Sequence, residues 1–156
     1  KGVWGKSKYL DWDTDIKPKL KASQLAEIEN FSVFFHDVLR TENGKIIVIG
    51  EGYKKSASGF GIASKILGGG QSGASVVDLK IGNMVVMEIG SDLDLEKINI
   101  FKKREHDILL PSGFEYLNKH VIGKFMASNG EFDYEFVEFN KDHSVLTIAY
   151  LDRENN

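Results

Sequence analysis

His36 and Asp37 are the residues best equipped for chemistry, because an aspartate that orients a histidine is half of a general-base device. Their adjacency argues against that pairing. Neighbours on a strand point to opposite faces, which puts His36 with Phe34 and Val38, and Asp37 with Phe31, Val33 and Phe35. The simpler roles are a hydrogen-bonded structural histidine and an aspartate that ties a loop backbone. Gly70, Gln71, Ser72 and Gly73 begin a nucleophile elbow, but Ala74 stands where the fifth-place glycine is required. Gly50, Gly52, Lys54, Lys55 and Ser56 echo a phosphate loop without the glycine that should precede the lysine.

Metal chemistry fares no better by spacing. Asp11, Asp13 and Asp15 alternate like the opening of a calcium loop, yet Ile16 and Ala22 occupy the places of its turn glycine and its bidentate glutamate. A solvated strand face accounts for the alternation. Asp92, Asp94 and Glu96 are read as turn carboxylates that keep a sheet edge soluble. The four histidines, at 36, 106, 120 and 143, show no ligand spacing, although folding could still gather them. With no cysteine in the chain, thiolate zinc sites, a cysteine nucleophile and a disulfide frame are excluded. No catalytic, cofactor or metal set is therefore assigned. The remaining resource is aromatic: Trp4 and Trp12 lie outside the strongest strands and are the candidates for an exposed sugar- or peptide-binding surface.

The elements that must position these groups are mostly strands. Phe31 to Arg40 and Lys45 to Gly52 flank Asn43-Gly44, a pair that reverses a chain cheaply. Val76 to Ile89 and Lys97 to Lys103 form a second hairpin, with Val77, Leu79, Ile81, Val85, Met87 and Ile89 on one inward face broken by Asn83. Phe132, Tyr134 and Phe136 open a third hairpin that returns over Val145 to Leu151. Between the first two, residues 56–73 carry Ala57, Phe60, Ala63, Ile66 and Leu67 at helical spacing before a glycine-rich loop, which predicts a short helical insert. Phe60, Ile66 and Leu67 are its candidate partner-docking residues. Further short helices are expected over 119–127 and 19–30.

The stretches FFHDVLRTENGKIIVIGEGYKKSASGFGIA, LPSGF and GEFDYEF resemble an uncharacterised family of exported Bacteroidota proteins with β-propeller-like blades. The resemblance runs from about Trp12 to Asp152. It implies a mainly β fold: one four-stranded antiparallel blade made by the first two hairpins, with the glycine-rich helical insert between its second and third strands. The last hairpin would open another blade. It also implies an exported, periplasmic or cell-surface location, and it carries no known activity. A propeller needs about four blades or more, and this chain has strands for roughly two, so either residues 1–156 are part of a larger propeller or they form a single small β domain.

Composition and charge narrow the functional classes. At 156 residues, with 42% hydrophobic and 28% charged positions, the chain can bury a core without a staple. A net charge of -3 with dispersed lysines disfavours nucleic acid, and no apolar run is long enough to be a transmembrane segment. Lys1 in place of Met fits a processed or partial chain. The expected function is a non-catalytic binding or structural module of an exported or envelope-associated assembly, without cofactor, whose partner is another protein or the remainder of a larger chain. The alternatives are a glycan- or peptide-directed hydrolase using loop carboxylates, and a propeller segment with no function of its own.

Overall fold

The computed structural model describes residues 5, 7–58, 62–63 and 74–152, with backbone alone for 74–76. Asn43 and Gly44 make the expected reversal, Gly44 at a φ of +82° that favours glycine, between β1 (Ser32–Arg40) and β2 (Ile46–Ala57). β3 (Ala74–Ile89) returns along β2, and β4 (Leu95–Phe101) returns along the second half of β3. The result is a mainly β structure with a four-stranded antiparallel sheet in the order β1-β2-β3-β4. The first two hairpins are thus neighbours in one sheet, as the sequence implied.

A fifth strand was not legible. β5 (His106–Pro111) pairs with the first half of β3, so β4 and β5 follow one another along the same edge of one sixteen-residue strand. Residues 102–105 bridge the two, and Lys103 stands at that break. The fourth strand also sits earlier than expected, ending at Phe101 rather than Lys103.

Two irregularities correct the predicted faces. His36 is an extra residue on β1, since Phe35 faces Gly50 and Asp37 faces Ile49. This bulge shifts Asp37 onto the face of Phe34 and Glu51 rather than that of Val33 and Phe35. On β3 a second shift falls at Gly82 and Asn83, so Leu79 and Ile81 share a face with Met84 and Val86, while Val85 and Met87 look the other way. The single inward face expected for this strand is therefore two faces, each buried.

Each face has its own cover. On one, Ile28 from α1 (Ala22–Ile28) packs with Val48, Val85, Met87, Leu95 and Ile98. On the other lie α2 (Lys119–Ser128), capped by Asn118, and the hairpin of β6 (Tyr134–Phe139) and β7 (Leu146–Tyr150). Ile122 and Met126 of α2 meet Tyr53, Leu79 and Ile81, and Val137, Leu146 and Ile148 meet Ile47, Ile49, Met84 and Val86. α2 lies close to the sheet because Gly123 offers no side chain to the Tyr53 hydroxyl, which donates to Lys119 O at 2.9 Å.

The helical insert needs partial correction. Ser56 and Ala57 belong to β2, where Ala57 pairs with Val77. Residues 62 and 63 are helical, with the Ile62 amide donating to Ser58 O at 3.0 Å. Phe60, Ile66 and Leu67 lie outside the described residues, as does Trp4. Asp11, Asp13 and Asp15 are not on a strand either: Asp11 caps a π-turn (Trp12–Ile16), accepting from Asp13 N at 2.9 Å and Thr14 N at 3.0 Å.

Candidate functional site

The bulge on β1, the middle of β2, the β4–β5 break and the start of β6 all meet on one face of the sheet, and each delivers an ionisable side chain. Lys103 Nζ lies 2.7 Å from Glu51 Oε1 and also bonds the Asp133 carboxylate; all three side chains have no exposed surface. His36 Nε2 lies 3.4 Å from Glu51 Oε2, and His106 Nδ1 lies 3.4 Å from Asp133 Oδ2. The backbone N–H of Asp133 donates to Glu51 Oε2 at 3.1 Å and that of Tyr134 at 3.3 Å. Asn83, at the β3 bulge, fixes the lysine's approach by accepting from Lys103 N at 3.2 Å while its amide donates to Glu27 O at 3.2 Å.

Electrostatics keep Glu51 ionised where burial alone would not. Burial pushes the Glu51 carboxyl up, but the His36 hydrogen bond and the Lys103 ammonium outweigh it and hold the group below the ordinary carboxylate value. Aromatic rings seal the site. His36 stacks on Tyr134 at 4.7 Å and meets Phe132 edge-on at 4.9 Å. Asp37 accepts the Tyr134 hydroxyl at 2.5 Å, and burial together with that carboxylate raises the tyrosine's pKa above its usual range. His36 and Asp37 thus converge on one tyrosine, although the bulge gives them the same face and their roles are separate.

Glu51 and Asp133 are a carboxylate pair, the first requirement of a glycosidase, yet a lysine stands between them and neither reaches an open cleft. The arrangement pins the C-terminal hairpin to the sheet. Among the described residues, no three His, Cys, Asp or Glu side chains are placed to hold a metal ion. Lys55, part of the phosphate-loop echo, instead donates to Glu115 O at 2.8 Å and Leu117 O at 2.7 Å.

Open surface lies on the opposite face. Trp12, held on its capped π-turn and 40% exposed, walls two adjoining clefts that also share Ile28 and Phe31. One, of about 210 Å³, is apolar and continues over Val33, Phe35 and Met87. The other, of about 340 Å³, is edged by Lys17, Glu29 and Asn30. Lys54 Nζ lies 4.1 Å above the Phe31 ring and holds it against Gly52 and Gly82.

Compared with known protein families, residues 1–156 match a family of unknown function, DUF6770. The chain belongs to that family. No curated protein and no solved structure matches it. For this DUF6770 member, then, the geometry must carry the functional reading. Of the seven residues singled out from sequence, His36 and Asp37 fall at the buried network, Trp12 at the clefts, and Trp4, Phe60, Ile66 and Leu67 outside the described residues. Glu51, Lys103 and Asp133 were missed. Glu51 carried a signal, a lone carboxylate in the apolar run Ile46 to Tyr53, where a buried charge demands a partner. Lys103 carried none, being the middle of Lys102, Lys103 and Arg104.

Proposed function

We propose that this chain is a non-catalytic binding and structural module of an exported or envelope-associated assembly, and that it recognises a protein partner through the Trp12 clefts. The observation that carries the reading is the contrast between its two faces. The charges that could do chemistry are sealed beneath the C-terminal hairpin, while a rigidly capped tryptophan stands at the mouth of apolar space. An aromatic anchor beside a pocket with a polar rim is how partner side chains are captured. The hydrolase alternative is weaker because its carboxylates are out of a substrate's reach. The exported location and the blade reading belong to the same proposal, since a four-stranded antiparallel meander is the unit of a propeller.

Trp12→Ala is expected to weaken binding of anilinonaphthalene sulfonate, an amphipathic probe of such clefts, by about tenfold, the loss of roughly 1.4 kcal/mol of aromatic contact. Thermal unfolding and circular dichroism should be unchanged, as the side chain lies at the surface. Equal probe binding by a folded Trp12→Ala protein would remove the clefts from consideration. Fractionation of the natural source, with the chain found only in the cytoplasm, would remove the exported location.

A further inference from the structure

Among the described residues, β7 is paired on one side only. Val145 O accepts from Asn140 N at 3.1 Å and Leu151 N donates to Asp133 O at 2.8 Å, so the odd-numbered residues of this strand bond toward β6. By the alternation of an antiparallel ladder, the N–H and C=O groups of Leu146, Ile148 and Tyr150 face away from it. The side chains of these three residues, with Met84, Val86 and Phe101, line an apolar cleft of about 180 Å³. Tyr150 and Phe101 at its mouth are 37% and 46% exposed. Beneath that open edge β4 extends one strand beyond β3, which leaves a strand-wide ledge beside β7.

The edges of β1 and β4 are defended and this one is not. β1 has its bulge at His36 together with Asp37 and Arg40, and β4 carries Glu96 and Lys97. Residues 145–151 read VLTIAYL, with neither charge nor proline to discourage pairing. A two-stranded sheet is itself marginal, and a third strand would complete it. A second copy of the chain fits poorly, because its own β4 would come with its β7 and meet this ledge. We propose that the free edge of β7 accepts an extended segment of a partner protein as a third strand, with backbone hydrogen bonds to Leu146, Ile148 and Tyr150 and alternate apolar side chains entering the cleft over Met84 and Phe101. This surface is separate from the Trp12 clefts, and either can fail alone.

The test uses hydrogen exchange read amide by amide, with a synthetic heptapeptide of alternating threonine and valine as the probe. In the free chain the amides of Ile148 and Tyr150 should exchange at least tenfold faster than that of Thr147, and saturating peptide should slow them at least tenfold. Ile148→Pro deletes an outward N–H and spares the bonds to β6, so peptide affinity should fall at least tenfold while the ladder amides of Thr147 and Ala149 stay protected. If that variant does not fold, Tyr150→Lys, which places a charge at the cleft mouth, should lose the same affinity. Protection of Ile148 already present in the free monomer, protection that appears only with concentration-dependent dimerisation, or equal peptide binding by folded Ile148→Pro or Tyr150→Lys would each overturn the proposal.

Discussion

Replacing Lys103 with methionine is expected to lower the unfolding free energy by about 3–5 kcal/mol, because it strands two buried carboxylates without the cation between them. Methionine nearly preserves the side chain's length and apolar stem, so the loss reports charge rather than volume. The pH dependence gives a second signature. In the native chain Glu51 is held below its ordinary value of 4.5. It therefore binds fewer protons folded than unfolded below that value, and its contribution is present above pH 4.5 and lost as the pH falls through the folded pKa. In Lys103→Met the upward push of burial is opposed by His36 without the Lys103 ammonium, and protonation should relieve the variant. Urea midpoints measured from pH 7 to pH 4 should show the deficit narrowing toward acid. A deficit under about 1 kcal/mol, or one that does not change with pH, would show that Glu51 and Asp133 do not depend on this lysine.

The same cluster marks the boundary of what the sequence could convey. Strand identity follows from composition and turn chemistry: Asn43-Gly44 placed the first hairpin between the runs Phe31 to Arg40 and Lys45 to Gly52. Face assignments then failed wherever an extra residue entered a ladder. A period of two propagates any one-residue shift to every later side chain, so the bulge at His36 moved Asp37, and the irregularity at Gly82 and Asn83 divided one supposed core face between two cores. β5 escaped notice because His106 to Pro111 is short, lacks a turn signal before it and ends in proline. The ionic network required residues 51, 103 and 133 to meet, and neither spacing nor periodicity encodes a meeting across such separations. What local sequence did encode was the anomaly of Glu51 among apolar neighbours.

Gly50 makes the position of that glutamate possible, and Gly50→Ala should be costly for the same reason. A Cβ at residue 50 would lie 2.8 Å from Phe34 O and 2.7 Å from Val33 Cγ1 on the adjoining strand. The oxygen belongs to the β1 backbone, just before the bulge that aims His36 at Glu51, so it can yield only by opening the ladder there. Overpacking of this kind costs about 1–3 kcal/mol, and the backbone contact puts Gly50→Ala at the upper end. Gly82→Ala provides the contrast. Its Cβ would come closer still, 2.4 Å from Phe31 Cε1, but the three nearest atoms all belong to one ring, and that ring borders the two clefts beside Trp12. Phe31 can swing into this space, so Gly82→Ala should cost about 1 kcal/mol, the lower end of the same range, and narrow the clefts. Urea unfolding of both variants, with anilinonaphthalene sulfonate binding to the second, reads the two effects separately. Gly50→Ala should be the less stable, and Gly82→Ala the poorer binder of the probe. The reverse order of stability would mean that the bulged strand yields more readily than a single phenyl ring, and the alignment of His36 with Glu51 would then not depend on Gly50.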